Sequence, residues 1–415
     1  VTGLPETLFR TEFPEIQERP MAMPAVTADG GAELRSALAS AVHGAVLTPG
    51  DAGYSDARAV HNGAVEHRPA AIVQVASAAD ARAALALAGE RGLRVTVRGG
   101  GHGVDGAGMA GDIVLDLRAL RGVSVDAQRQ TATVRGGATW ADLDAATGAH
   151  GFVVPGSRVG SVGVVGSTLA GGTGWLTPRY GTTWASVLVV ESVSVDGLRT
   201  DAATEDEPDG RSVITSLTVT LYPQPAAVLA GRLLYRLADA ADVASVVADL
   251  VTRRRPEFAP MLRWQPAPAA AYVPGDVVGR PVLAVLPTWT GDAAEGAQFL
   301  APLRRAARAL VDATHPTSYT ELQQQLDASS PWGRRRAEFA ALDARPPAAS
   351  AALLETALAD RPGPHGFVEL TPVASSGEWV TRAEAQWTDR ADDARHRSWL
   401  AALETSLRPS TDTTH

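Results

Sequence analysis

The chain has 415 residues, and neither cysteine nor lysine is among them. Without cysteine there is no disulfide, no thiolate metal site and no thiol nucleophile. Without lysine there is no Schiff-base chemistry, no pyridoxal phosphate anchor and no P-loop lysine. Asparagine is nearly absent too, and a GC-rich coding sequence explains both shortages. No apolar run reaches the eighteen or so residues a membrane helix needs, and "VTGLPETLFRTEFPEIQERP" lacks the basic-then-apolar layout of a signal peptide. A soluble, cytoplasmic protein is expected. The net charge of −9 and pI near 5.5 give no basic footprint, so neither nucleic acid nor membrane is expected as a partner. There is no G-x-S-x-G elbow and no H-E-x-x-H helix, which leaves a hydrolase without support.

What is present divides at about residue 223. A chain this long exceeds the roughly 250–300 residues that one core holds, so at least two cores are expected. "AAIVQVAS" reads as a strand, "ADARAALALAGERG" as a helix stopped at Gly92, and "LRVTVRG" as a second strand. "DIVLDL" is a further strand, and "VSVDAQRQTATVRGG" is two alternating runs around a polar turn. "TWADLDAATGAHG" is a short helix. "VLVVESVSVDGLRT" is two strands closed by an Asp196-Gly197 turn, and "RSVITSLTVTLYP" is another strand.

Past the linker "PQPAAVLAG", helices ("ADAADVASVVADLVTRRR", "AAEGAQFLAPLRRAARALVDA") mix with strands ("GRPVLAVLPTW", "GFVELTPV", "EWVTRAEAQW"), as in an α+β domain. "DARHRSWLAALETSLRP" closes the chain as an amphipathic helix. The arginines at 253–255, 304–305 and 334–336 are expected on exposed helix faces or ends.

Two glycine-rich stretches stand out. Gly101, Gly103 and Gly106 spell G-x-G-x-x-G around His102, and "PGSRVGSVGVVGSTLAGGTGWL" runs from Pro155 to Leu176. A dinucleotide-binding Rossmann turn follows a strand and opens a helix. Here the first glycine stretch leads into a strand, which argues against a nicotinamide-dependent dehydrogenase.

Taken in order, "VRGGGHG", "VRGGATWADLDAATGAHG", "VVPGSRVGSVGVVGSTLAGGTGWLTPRYG" and "VESVSVDG" resemble the flavin domain of berberine-bridge-enzyme-like oxidases. These belong to the vanillyl-alcohol-oxidase superfamily of FAD-linked oxidoreductases. The resemblance is close over residues 68–222 and looser beyond. It implies an α+β fold: a two-subdomain PCMH-type FAD-binding domain (1–224), and an α+β substrate-binding domain (225–387) whose antiparallel sheet covers the flavin. A C-terminal helix (388–415) would return toward the FAD domain.

The resemblance implies FAD as cofactor, wrapped by Arg98, Gly99, Gly100, Gly101, His102, Gly103 and Val104. Gly137 and Ala138 would join them, as would Pro155, Gly156, Gly160, Ser161, Val162, Gly163, Gly166, Gly171, Gly172, Gly174 and Trp175, and Val213 and Ile214 farther on. His102 occupies the position of the histidine that bonds the flavin 8α carbon. The cysteine that makes a second link in many relatives has no counterpart, so a single link at His102 is expected. Val162 resembles a position where valine accompanies reaction with oxygen, which favours an oxidase.

The chain also departs from the family. From "ATEDEPDG" it passes straight to "RSVITS", where relatives carry a flavin-binding loop. "VELTPVASSGEWVTR" skips a stretch, and the chain stops at "RPSTDTTH", ahead of a tyrosine-x-asparagine motif.

The implied reaction moves a hydride from a C–H beside oxygen or nitrogen of a small molecule to the flavin, with O2 as acceptor and natural-product tailoring as the setting. Arg382 and Glu384 share a strand face by the period-two rule. With Glu369 and Tyr180 they are the candidate catalytic groups. A monomer or homodimer is expected. Two readings stand beside this one: a flavin-binding homologue without turnover, and an oxygen-unreactive FAD dehydrogenase.

Overall fold

The computed structural model describes residues 28–203, 212–343, 345–373 and 377–407. "EDEPDG" and "RPSTDTTH", where two of the departures fall, lie outside the described residues. The described residues form two units. One runs through Gln224 and takes in Gln323–Gly333; the other holds Pro225–Leu322 and the chain from Arg334 onward.

Among the described residues the first unit carries a four-stranded and a five-stranded sheet. In the smaller sheet Ala71–Gln74 and Val95–Arg98 both lie parallel to Ile113–Asp116, which sits between them. The helix joining the first two, Ala78–Arg91, starts where the Ser77 side chain accepts the Asp80 amide and stops at Gly92 with φ 64°. Each cap supplies a partner or a conformation that the helix end otherwise lacks. This helix and Ala28–Ala41 lie on the sheet, with Leu38, Ala81, Ala84, Ile113 and Leu115 in the shared core. The larger sheet is antiparallel and runs in the order Val123–Asp126, Thr131–Arg135, Val213–Thr220, Val187–Ser194, Gly197–Ala202. Its last two strands are the expected hairpin, with Gly197 at φ 139°. The helix Trp140–Gly148 begins in a capping box between Thr139 and Asp142.

The second unit is built on a nine-stranded antiparallel sheet. Along Phe258–Pro266, Leu262 and Trp264 enter the apolar core while Arg263, between them, points to the opposite face. That alternation follows from side chains leaving a strand on alternate sides. The helices Ala240–Thr252, Pro347–Ala359 and Asp393–Leu407 supply the other half of the core through Val243, Val247, Leu354, Trp399 and Leu403.

Three expectations change here. The helix read over "AAEGAQFLAPLRRAARALVDA" is two short helices, Ala293–Phe299 and Ala301–Ala306, followed by the strand Val311–Asp312. Pro302 lies in the first turn of the second helix; its ring clashes with the carbonyl four residues back and it has no N–H to continue the first. Of the arginines expected on exposed helix faces, Arg336 is buried on the strand Arg335–Asp343. The last helix, Asp393–Leu407, buries His396, Trp399 and Leu400. Finally, Gln323–Gly333, read as part of the substrate-binding domain, packs with the first unit.

Candidate functional site

The strand Val95–Arg98 delivers the chain directly into the first glycine stretch. No α-helix follows: the chain makes only a three-residue 3-10 turn, Ala107–Met109, and then enters the strand Ile113–Asp116. A Rossmann phosphate site is therefore not formed here.

The two glycine stretches press together. A Cβ on Gly100 would stand 2.3 Å from the Gly163 amide nitrogen, and one on Gly163 would stand 2.5 Å from that of Gly100. Only hydrogen side chains allow this approach. Gly101 has φ 77°, a left-handed conformation that turns successive amides to one side. Among the described residues the amides of Gly99, Gly100, Gly101 and Gly103 donate to no main-chain carbonyl. Backbone N–H donors with no main-chain acceptor fit a diphosphate, whose oxygens only accept. The donor set therefore suits the FAD expected from the sequence.

His102 stands at this junction. Its Nε2 lies 2.9 Å from Ser161 Oγ, which ties the first glycine stretch to the second. The His61 ring stacks on it, centroids 3.9 Å apart and 20° between planes. Trp332 meets both imidazoles edge to face, at 5.6 Å from His61 and 5.4 Å from His102. His61 Nε2 is 3.1 Å from both the carbonyl and the hydroxyl oxygen of Ser330. Its amide donates to the Gly101 carbonyl at 2.9 Å, and its carbonyl accepts from Gly333 at 3.1 Å. Next to it, Asn62 Nδ2 donates to the Val104 carbonyl at 2.6 Å while its Oδ1 accepts from Ala64.

The expectations from sequence missed His61, Asn62, Ser330 and Trp332. One signal was available: Asn62 is the single asparagine of the chain, placed where a short side chain must both donate and accept.

The other residues expected around FAD fall into several settings. Arg98 is buried, its guanidinium donating to the carbonyls of Ala57 and Ala59. Burial, and the neighbouring Arg118, pull its pKa down to about 10, against Asp116. It braces the loop from beneath. Gly137 donates to the Leu120 carbonyl, and Ala138, fully buried, accepts from Val164. The Pro155 carbonyl accepts from Thr183 at 2.7 Å. Gly156 and Gly174 cross so closely that a Cβ on Gly174 would stand 1.6 Å from the Gly156 oxygen.

Gly160 donates to Asp327 Oδ1 at 2.9 Å. Val162 is partly buried against the core that also holds Ile214. Val213 belongs to the neighbouring core. Gly166 lies in the short helix Val164–Leu169, and Gly171 and Gly172 turn the chain beyond it with φ 104° and 57°. Trp175 is buried with Arg158 over its ring. Tyr180 stacks on Tyr222, centroids 4.1 Å apart.

Within the second unit, the three charged candidates belong to one network. Glu369 and Arg382 are direct cross-strand partners. Arg382 contacts Glu369 at 3.6 Å and Glu384 at 2.5 Å, and also pairs with Glu338. Arg263 bonds Glu369 at 2.5 Å, and Arg336 bonds Glu384 at 2.6 Å. Burial opposes the charge of Arg382, but Glu338, Glu384 and Glu369 outweigh it and raise its pKa. Arg263 and Arg382 also lie over the Phe367 ring. The result is a fixed constellation of balanced charges, in which Arg263 and Arg336 were not foreseen.

Residues 69–202 match the FAD binding domain family. In sequence the chain is 30% identical over 201 residues to (R)-6-hydroxynicotine oxidase of Paenarthrobacter nicotinovorans, covering 46% of this chain and 44% of that protein. It is 37% identical over 172 residues to the FAD-linked oxidoreductase hasG of Aspergillus fumigatus, covering 40% and 36%. The match thus spans less than half the length of either relative. In structure it resembles 6-hydroxy-D-nicotine oxidase from Arthrobacter nicotinovorans, with a TM-score of 0.78, 23% identity and coverage of 88% and 86%. It also resembles BBE-like 1 from Physcomitrella patens, with a TM-score of 0.78, 16% identity and coverage of 90% and 88%.

Proposed function

We propose that this chain, which carries an FAD binding domain over residues 69–202 on the fold of the berberine-bridge-enzyme-like proteins, is an FAD-dependent oxidoreductase. Its FAD would be linked once, to His102. The observation that carries the proposal is the junction of the two glycine stretches, with its unspent amides and with His102 held by Ser161.

Gly99–Gly103 would bind the diphosphate through amides, and the second stretch, from Gly160 to Gly163, would back it. Bound flavin supplies two-electron redox chemistry, accepting a hydride and returning electrons to an acceptor. The chain's own groups bind, orient and shield. His102 holds the cofactor in place, and Ser161 holds the His102 ring. Val162 beside them favours O2 as acceptor.

For the substrate we propose Arg382 as the contact, since a third of its side chain is exposed while Glu369 and Glu384 are nearly buried. The two carboxylates fix its charge and direction. A small molecule with a C–H beside oxygen or nitrogen, of natural-product type, fits the chemistry of the sequence relatives.

The test is acid precipitation of the purified protein, followed by intact mass and visible spectrum. A washed yellow pellet with one FAD mass on the His102 peptide is expected. Flavin released wholly to the supernatant would refute the covalent link while keeping the cofactor. Flavin in neither fraction would refute the FAD reading itself.

A further inference from the structure

Covalent attachment places a demand on the ring that performs it. His102 sits between glycines, Gly101 and Gly103, whose lack of side chains leaves the local backbone free to move. A nucleophilic nitrogen must nevertheless meet its carbon along one direction, and a misplacement of about 1 Å can slow such a step about a hundredfold. Something other than the loop must therefore hold the imidazole plane. Ser161 fixes one ring atom, at 2.9 Å from Nε2, but a single hydrogen bond leaves the plane free to rotate about it.

The stack on His61 constrains the plane itself. The His61 ring covers one face of His102 at 3.9 Å with the planes 20° apart. His61 is itself immobilised from three sides: its ring by Ser330, its amide by the Gly101 carbonyl, and its carbonyl by Gly333. Only 4% of its surface is exposed. The edge of Trp332 closes the pair. A buried histidine so fastened, and stacked on the proposed attachment residue, has a geometric task that its packing alone does not require.

We infer that His61 is a positioning residue for flavin attachment, setting the plane of the His102 imidazole by stacking. The inference rests on the reading that FAD is linked at His102. In that step His102 gains an N–C bond to the flavin 8α carbon, and one C–H bond of the methyl group breaks. The methyl hydrogen and the imidazole N–H hydrogen are left on the ring system as a two-electron reduction. Dioxygen then removes them as hydrogen peroxide, so atoms and electrons balance.

The experiment compares the parent protein with His61→Ala, His61→Phe and His102→Ala. Each is expressed under riboflavin limitation and supplied with FAD and air. Acid-precipitable flavin is followed over time, and total bound flavin is read from the visible spectrum. His61→Phe keeps a flat ring against His102 without a nitrogen, and is expected to attach flavin within about twofold of the parent rate. His61→Ala is expected to bind FAD but attach it about tenfold more slowly or worse. Attachment by His61→Ala at the parent rate would overturn the inference. So would His61→Phe slowed as much as His61→Ala, because a ring without nitrogen should suffice for stacking. If His61→Ala does not fold, His61→Leu, which fills the space without a flat ring, takes its place, and attachment by it at the parent rate would likewise overturn the inference. Failure of the underlying reading shows separately, as a parent protein with no acid-precipitable flavin or a His102→Ala protein that still has it.

Discussion

Asp144 offers a quantitative test of how Gln323–Gly333 is held to the first unit. Its Oδ2 accepts from Gln323 Nε2 at 3.0 Å, and the same nitrogen lies 3.3 Å from the Ser157 carbonyl. Asp144 Oδ1 and Gln323 Oε1 are both buried without a hydrogen-bond partner. A proton on Asp144 removes a charge that burial penalises and turns one carboxyl oxygen into a donor. Burial pushes the Asp144 carboxyl up from 3.8 to about 7, with the Gln323 bond opposing and the Asp327 charge adding.

The sign follows from linkage. The folded chain keeps a proton that the unfolded chain releases near pH 4, so this contribution to stability is full below that and is lost as pH rises to about 7. At about 1.4 kcal/mol per pH unit the whole loss is about 4 kcal/mol, of which about 3 falls between pH 5 and pH 8. Asp144→Asn offers the same donor and acceptor without titrating. Its melting temperature relative to the parent should therefore rise by about 6–12 °C between pH 5 and pH 8, at 2–4 °C per kcal/mol for a domain of this size. Thermal unfolding followed by tryptophan fluorescence at the two pH values measures it. A difference between variant and parent that is the same at both would refute the reasoning.

Two further outcomes follow from the same structure. Gly163→Ala sets a Cβ 2.5 Å from the Gly100 amide nitrogen, and backbone cannot step aside as a flexible side chain can. The total flavin bound by the purified protein should fall sharply, whereas Gly89→Ala, with nothing within 4 Å of its Cβ, should leave it unchanged. Glu369→Gln removes the carboxylate that holds the buried Arg263, so it should destabilise the protein by about 3 kcal/mol, as broken buried ion pairs do. Urea unfolding gives the value, and an unchanged midpoint with lost turnover would instead make Glu369 a group of the reaction alone.

Much of this is legible in the sequence. The strand, helix and strand leading to Arg98 follow from periodicity, from Ser77 and from Gly92, all of which act within a few residues. The rejection of a Rossmann turn rested on local order as well, because the glycines lead to a strand. The shared face of Arg382 and Glu384 is likewise a property of one strand. The reading failed where local rules compete, as at Pro302, which splits an otherwise helical run.

What the sequence by itself determined is therefore the set of elements, the glycine stretches with their histidine, and the family that their order resembles. Each depends on neighbours in the chain. The tertiary structure alone decided which groups surround His102 and Arg382. Ser330 reaches His61 across 269 residues, and Asp327 meets Gly160 across 167. Arg263 and Arg336 become partners of Glu369 and Glu384 only through sheet register. Such contacts are selected by how layers and strands pack, and no local propensity encodes the partner.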